Sequence, residues 1–459
     1  MMRSIALVSV LACACNMSPP ASHEGPVAFD VRFASGQDLG ETTPLPFSES
    51  GGVELDLFVS PMGGSFDGWA SVHAEPGRVD AISGVESSGS HVRLDLAEGE
   101  EASMTVTISL AFGVSRIWIE DDGYQPTTSP TPACSDGVDN DEDGYRDHGQ
   151  DPGCVDETDG SERGGTWIVG ASGPIVFENP RIADVQGSGI LSPLDGRTVL
   201  IDRGRLVVTR ISTEGFFVTD IAADAPVGGS NSLFVYNYNT PWHLRECDVI
   251  TNLSGIVGEF LACYTELQFP SWDVIDPGGR IPEPSSREEC PIPEPVVLDS
   301  SFAGSDWDME PLEAGFVRIA DGRIGDTFRD CDLDGDGTVS WPGPEDDCAT
   351  MCGDDAECTE LTQYFRYGQY SVVLDGCRGS GCTAVFAVSR DTNPSFWADH
   401  HADEVIPAIT GTLHHLYFIR PEWIVETGCS DDLVLTGTPL PTWEACVPPY
   451  ARGEHYDNN

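Results

Sequence analysis

Short runs in which apolar and polar residues alternate are the dominant pattern of the chain. In the run Val53–Val59 every second residue is apolar, and the run Met104–Leu110 repeats the pattern with threonine and serine between the apolar positions. A period of two is that of a β-strand with one buried face. Several such runs, separated by Gly, Pro and Ser, lie between residues 26 and 121. We therefore predict an immunoglobulin-like β-sandwich over 26–121.

The same alternation resumes in two later segments, 166–272 and 301–459. Within the second of these, Ile409-Thr-Gly-Thr-Leu413 echoes Leu253-Ser-Gly-Ile-Val257 in the first. The intervening segments, 122–165 and 273–300, are rich in Pro, Gly and acidic residues and predict linkers. With 50 glycines and 33 prolines and few long helical periods, the chain is predicted to be mostly β.

The charge balance narrows the possible partners. The 459 residues include 76 acidic and 23 basic ones, a net charge of −53, and every basic residue is arginine. A field this negative repels phosphate backbones, so a nucleic-acid partner is disfavoured. The absence of lysine from the sequence excludes Schiff-base chemistry by this chain.

The first residues predict export. Residues 1–15 hold one arginine followed by a short apolar run, as in a signal peptide. Val10-Leu11-Ala12-Cys13 resembles the bacterial lipobox, which implies lipidation of Cys13 and a bilayer as partner; Cys15 is the alternative acceptor, and an ordinary secretory signal the alternative interpretation. Residues 16–25 predict a polar tether. The predicted location is outside the cytoplasm, anchored to the bacterial outer membrane or cell surface.

Exported chains keep disulfides, so most of the 15 cysteines are candidates for pairing. Connectivity cannot be deduced from sequence, and Cys290 is left over when neighbours are paired. The candidate local pairs are Cys134/Cys154, Cys247/Cys263, Cys331/Cys348, Cys352/Cys358, Cys377/Cys382 and Cys429/Cys446.

A dense acidic loop between Cys134 and Cys154 predicts calcium. Its alternating aspartates, followed by Gly144, have the spacing in which oxygens converge on Ca²⁺. The loop resembles thrombospondin type-3 repeats and similar modules of bacterial surface lipoproteins. Gln150 stands where an EF-hand would have its bidentate glutamate, and an acidic linker without an ion is the alternative interpretation. The ligands that the resemblance implies are Asp139, Asp141, Asp143, Asp147 and the Tyr145 carbonyl, with Asp151 as a possible substitute for the glutamate.

A second acidic loop, within 330–348, matches the first positions of an EF-hand. Gly343 replaces the usual glutamate at position twelve, and Trp341-Pro342 argues against a following helix. The matching residues are Asp332, Asp334, Asp336, Thr338 and Ser340, with Gly337 at the turn.

The segment 166–272 carries a further resemblance. Its pieces Ile182–Gly189, Ser192–Val199, Gly215–Asp220 and Gly255–Phe260 are similar, in the same order, to the OB-type accessory domain of bacterial extracellular nucleases. That resemblance implies a small Greek-key barrel. The predicted fold is thus a sandwich, an acidic calcium-loop linker, and one or two OB-like barrels, the second interrupted by the insertion at 330–348.

An OB groove for single strands needs arginines and exposed aromatic rings. This segment offers both, but period two places about half of the aromatic rings inside the barrel and the overall charge opposes a polyanion. A structural or protein-binding barrel is the favoured interpretation. The candidate groove residues are Arg197, Arg203, Arg205, Arg210, Phe216, Phe217, Phe234 and Tyr236.

No nucleophile elbow, phosphate loop or zinc-protease motif occurs in the sequence. The patch Asp399–Glu404, with His400 and His401, and the pair His414-His415 are the remaining candidates for a metallohydrolase, but neighbours on a strand face opposite ways. We predict a non-enzymatic, calcium-binding surface protein with a binding or scaffolding role for an unidentified protein or glycan. The alternatives are capture of nucleic acid or glycan by the OB-like barrel, and a secreted metallohydrolase.

Overall fold

The structure is a computed structural model, and the parts of the chain it describes fall into two compact units. The described residues are 27–121, 135, 170–226, 229–261, 263–275, 291–302, 308–325, 364, 367–377, 385–390, 392–401, 403–417, 421–429 and 432–437. Each unit is described by itself below.

The first unit is a two-sheet β-sandwich. Its strands are β1 (Phe29–Phe33), β2 (Val53–Pro61), β3 (Phe66–Glu75), β4 (Arg78–Ser83), β5 (Glu86–Ser88), β6 (His91–Leu96), β7 (Ala102–Ser109) and β8 (Gly113–Glu120). One sheet has the order β1-β2-β7-β4 and the other contains β5-β6-β3-β8. Leu55, Leu57 and Val59 are at most 1% exposed while Glu54 and Asp56 face solvent, as the alternation predicted.

The sandwich is confirmed, and its connections alternate between the sheets more than an immunoglobulin domain requires. From β2 to β4 the chain passes from one sheet to the other and back, and β6, β7 and β8 do the same. Hydrophobic period determines which face of a strand is buried, but it does not determine the order of the strands.

The second unit contains a first barrel, preceded by β9 (Ile175–Phe177) and α1 (Ile182–Gln186). The barrel strands are β10 (Thr198–Ile201), β11 (Leu206–Ile211), β12 (Gly215–Asp220), β13 (Ser232–Tyr236), β14 (Val249–Phe260) and β15 (Tyr264–Val274). Pairing runs β11-β12-β13-β15-β14 and closes from β14 to β11, with β13 and β15 parallel. This closed Greek-key arrangement of five strands is the OB-like barrel that the sequence predicts.

A second barrel follows in the same unit. Its strands are β16 (Val296–Leu298), β17 (Phe316–Ile324), β18 (Gln369–Val373), β19 (Val385–Val388), β20 (Val405–Tyr417), β21 (Pro421–Glu426) and β22 (Leu433–Val434). Pairing runs β17-β18-β19-β21-β20 and closes from β20 to β17, with β19 and β21 parallel. The connections are those of the first barrel. The predicted second OB-like barrel is therefore confirmed.

Each barrel has a glycine at the same place on equivalent strands, where the neighbouring strand comes close. Gly255 of β14 lies so close to the next strand that a Cβ would come 2.6 Å from the Gln268 carbonyl oxygen; for Gly411 of β20 the corresponding distance, to the Glu426 carbonyl, is 2.2 Å. The apolar residues two positions before and after each glycine are fully buried in the barrel cores. The sequence echo thus marks the same strand of each barrel.

Among the described residues, none of the helices is long and apolar enough to cross a membrane.

Candidate functional site

Both predicted calcium loops lie outside the described residues, as does the lipidation candidate Cys13. Calcium binding and lipidation therefore stay predictions. The pairing of the predicted cysteines that also lie outside the described residues stays a prediction as well. The predicted residues concerned are Asp139, Asp141, Asp143, Tyr145, Asp147, Asp151, Asp332, Asp334, Asp336, Thr338 and Ser340, and Cys13, Cys134, Cys154, Cys290, Cys331, Cys348, Cys352, Cys358, Cys382 and Cys446.

Four cysteines lie among the described residues, and one predicted pair is wrong. Cys247, Cys377 and Cys429 are disulfide-bonded. Cys263, the predicted partner of Cys247, is a buried free thiol. Its sulfur points to the His415 carbonyl oxygen, 3.7 Å away on the second barrel. Burial, reinforced by the charges of Glu313 and Glu310, raises the pKa of this thiol to about 12.

The two barrels meet along an aromatic seam, formed by Phe217, Phe234, Tyr264, Ala314 and His414. The His414 ring centroid lies 5.1 Å from that of Phe217 and 5.3 Å from that of Tyr264. Burial lowers the pKa of His414 to about 4, so its ring is neutral at pH 7. The seam consequently packs as an apolar contact between the outer face of the first barrel and β20 of the second.

A buried ion triad lies beside Phe316 at the same junction. Arg210 of β11 donates to both carboxylate oxygens of Glu246 at 3.1 Å and to both of Asp432, beyond β21, at 2.9 Å. Its guanidinium carbon also lies 4.6 Å from the Phe316 ring centroid. Burial by itself would lower the pKa of Arg210, but the charges of Asp432 and Glu246 outweigh it and raise the pKa above the ordinary value.

These contacts change the interpretation of the predicted single-strand groove. Phe216 faces the barrel interior, whereas Phe217 and Phe234 are covered by the second barrel, and all three are at most 7% exposed. Arg210 is held in the ion triad. Half of the eight predicted groove residues are thus interior or interbarrel contacts, whereas Arg197, Arg203 and Tyr236 are partly exposed and Arg205 is exposed. The alternation of residues correctly predicted that neighbouring rings lie on opposite sides of the barrel wall. It did not predict that a second barrel covers the rings on the outer side.

A second cluster at the junction joins two carboxylates and an imidazole. We call Glu310, Glu313 and His415 the carboxylate–imidazole cluster; one ligand atom from each lies within 4.8 Å of the others. Glu310 begins a 3-10 turn that leads into β17, and its Oε2 lies 3.1 Å from Nδ1 of His415. The His415 ring stacks on Trp423 with centroids 4.0 Å apart. Among the described residues, this is the single group of three such side chains close enough to hold a metal ion.

Glu313 connects the cluster to the first barrel. Its Oε1 accepts a hydrogen bond from the Thr265 backbone N–H at 3.1 Å, and the Thr265 hydroxyl donates to Glu259 at 2.9 Å. Burial, and then the charge of Glu310, raises the pKa of Glu313 well above its ordinary value. Three carboxyl groups therefore converge on one buried region, which is costly unless protons or a cation are present.

The two predicted histidine patches have different surroundings in the structure. His414 and His415 do face opposite sides of β20, one into the seam and the other into the cluster. His401 lies 2.8 Å from Glu404 at the surface, and its ring stacks on Phe396. Sequence reasoning missed the cluster because Glu310 and His415 are about a hundred residues apart. The only local signal is the acidic spacing Glu310-Pro-Leu-Glu313.

An exposed aromatic row continues from the seam to the surface of the first barrel. It consists of Tyr236, Tyr238 and Phe269, with successive ring centroids 4.4 and 5.1 Å apart. Tyr238 is 44% exposed and Phe269 is 66% exposed. Burial, and then the charges of Glu214 and Glu266, raise the pKa of Tyr236. The row is therefore a hydrophobic platform bordered by carboxylates.

Comparison of the chain with models of protein families, with curated proteins and with solved structures finds no match.

Proposed function

We propose that the chain is an exported, lipid-anchored, calcium-binding surface protein with a binding or scaffolding role. The observation that carries the scaffolding role is the ion triad, because Arg210 and Glu246 belong to the first barrel and Asp432 to the second. Paired on both sides, a buried guanidinium fixes the geometry of its partners. The two barrels belong to one compact unit, which can present a surface to a partner.

Calcium binding is supported by the aspartate spacing of the two acidic loops. The test is equilibrium dialysis of the disulfide-intact chain against Ca²⁺. We expect uptake by the wild-type chain and a loss of sites in Asp139→Ala and Asp332→Ala. The matched control is Asp67→Ala, which changes an exposed aspartate of the sandwich. Equal uptake by the wild-type chain and both loop variants would remove calcium from the proposal.

The lipid anchor is tested separately in a bacterial host. Cys13→Ser is expected to stop incorporation of a labelled fatty acid and to release the chain from the membrane fraction, while Cys15→Ser leaves both unchanged. If neither substitution changes the label, the anchor is wrong.

The aromatic row supports a more specific second candidate, capture of a neutral polysaccharide. Adjacent rings offer faces on which an uncharged sugar can stack, and the bordering Glu214 and Glu266 can accept hydrogen bonds from its hydroxyl groups. The same carboxylates and the net charge of −53 repel a polyanion. We expect retardation in gels containing an uncharged glucan and none in gels containing single-stranded DNA.

Tyr238→Ala and Phe269→Ala are expected to abolish that retardation, whereas Tyr367→Ala, at a 54% exposed tyrosine in the second barrel, is expected to preserve it. Retention on single-stranded DNA would favour nucleic-acid capture, and unchanged glucan binding by the row variants would exclude this surface.

A further inference from the structure

We infer that the carboxylate–imidazole cluster is a binding site for a divalent first-row transition-metal ion, with Zn²⁺ as the reference. This site is independent of the calcium loops, the anchor and the aromatic row. Its ligands would be one carboxylate oxygen each of Glu310 and Glu313 and a ring nitrogen of His415. The inference is built on geometry, on burial and on one unsatisfied oxygen.

The distances fit one ion. Zinc holds nitrogen and carboxylate oxygen at about 2.0–2.2 Å, so the ligand atoms of a tetrahedral site are roughly 3.5 Å apart. Oε2 of Glu310 and Nδ1 of His415 are already 3.1 Å apart, and all three ligand atoms lie within 4.8 Å of one another. The measured 3.1 Å and the 4.8 Å upper limit bracket the spacing that a single tetrahedral ion requires.

The second observation concerns the free carboxylate oxygen of Glu313. The residue is 2% exposed and its Oε1 is held by the Thr265 N–H, while no hydrogen bond of good geometry reaches its buried Oε2 from the described residues; the Gln186 amide is the neighbouring polar group that lowers the pKa of the carboxyl. Folded proteins rarely leave a buried polar atom without a partner, and a bound ion can serve as that partner. A cation at the cluster would satisfy Oε2 and offset the repulsion between Glu310 and Glu313.

Three contacts position the ligands before any ion arrives. The Thr265 hydrogen bond orients Glu313, and the stacked Trp423 ring holds the His415 plane within 13° of its own. The Ala314 N–H donates to the Leu413 carbonyl at 2.8 Å, which fixes the Glu313 segment beside β20. Such outer contacts are what orients ligands in protein metal sites.

The ligand set selects the class of ion. Calcium takes six to eight oxygen ligands in protein sites, whereas the cluster offers one nitrogen and a few oxygens in a buried space. Imidazole with carboxylate suits zinc and its neighbours in the first row. We therefore expect Zn²⁺, and Co²⁺ as its spectroscopic substitute, to bind here in the presence of millimolar Ca²⁺.

The test is calorimetric titration of the full chain with Zn²⁺, after chelator treatment and in excess Ca²⁺ to occupy the acidic loops. The wild-type chain is expected to bind one Zn²⁺ that Glu310→Gln and Glu313→Gln weaken at least tenfold. Glu54→Gln, at an exposed position of β2, and Asp139→Ala are the matched controls and are expected to retain the site.

A second measurement guards against misfolding. Co²⁺ bound to the wild-type chain should give the visible absorption of a low-coordinate site, absent in Glu310→Gln, whose side chain is 16% exposed and tolerates an amide best. If the wild-type chain and folded Glu310→Gln take up Zn²⁺ equally, or if neither binds it, the cluster is a proton-sharing carboxyl pair and the inference is overturned.

Discussion

Arg210 of the first barrel donates two hydrogen bonds of 2.9 Å to the carboxylate of Asp432 in the second barrel. Replacing Arg210 with methionine would leave Asp432 and Glu246 buried without their cation, so we expect a loss of about 3–5 kcal/mol in the free energy of unfolding, measured by urea titration. Arg203→Met is the control, because Arg203 pairs with a half-exposed Glu178 and should cost at most about 1 kcal/mol. Equal losses for the two variants would contradict a locking role.

The glycines on equivalent strands give a paired prediction. Gly255→Ala and Gly411→Ala each place a Cβ against a carbonyl oxygen of the neighbouring strand, and we expect each to destabilise the protein by about 1–3 kcal/mol through overpacking. Gly189→Ala, where the nearest atom is 3.9 Å away, is the control and should leave the melting temperature nearly unchanged. Tolerance of alanine at both strand positions would show that the barrels relax locally.

Glu266 gives a prediction about pH. Burial first, and then the charges of Glu214 and Glu259, raise its pKa against the opposing hydrogen bond from Gln268. The folded protein therefore holds this proton more tightly than the unfolded chain does. The associated stability is fully present below the ordinary pKa of a glutamate and is lost as pH rises through the raised value.

Glu266→Gln should remove this loss, raising stability at pH 7 and flattening the dependence of stability on pH above the ordinary pKa of a glutamate. Urea unfolding at successive pH values measures both effects. Glu54→Gln, at an exposed position of β2, should keep the wild-type profile. A variant less stable than wild type at pH 7 would show that the Glu266 charge is compensated.

Removal of calcium should expose the acidic loops to protease. With EGTA we expect cleavage within 134–154 and 330–348 to accelerate, because an ion that binds only the ordered loop stabilises that form by mass action. Limited proteolysis followed by mass spectrometry locates the cuts. Equal cleavage of the wild-type chain with and without EGTA would contradict calcium binding by these loops. The Asp139→Ala chain is the control, and its cleavage within 134–154 should be the same in both conditions.

The strands were predictable from local pattern, because alternation reports which residues of a strand face a core, whereas the first barrel was predicted from the resemblance of its segments to an OB-type domain. The Gly255 and Gly411 echo even identified the equivalent strands of the two barrels, since the same close approach of backbones requires glycine in both. Local pattern could not predict which part of the chain covers the outer face of the first barrel. Phe217 and Phe234 were candidate groove residues in the sequence, yet they contact His414 from a strand far along the chain.

The same argument explains the error at Cys263. A thiol sixteen residues from Cys247 looked like its partner, but the side chain faces the second barrel. The carboxylate–imidazole cluster was likewise invisible, because pairing between β17 and β20 is what brings Glu310 near His415. Long-range contacts of this kind depend on strand order, which hydrophobic period leaves open.

The covered outer face of β12, β13 and β15 has a practical consequence for dissecting the molecule. A fragment ending before the second barrel would expose Phe217, Phe234 and Tyr264 together, an apolar patch that is buried in the intact chain. Ligand screens on such a fragment would detect non-native binding to these rings, or aggregation. Binding should therefore be measured on the chain that contains both barrels.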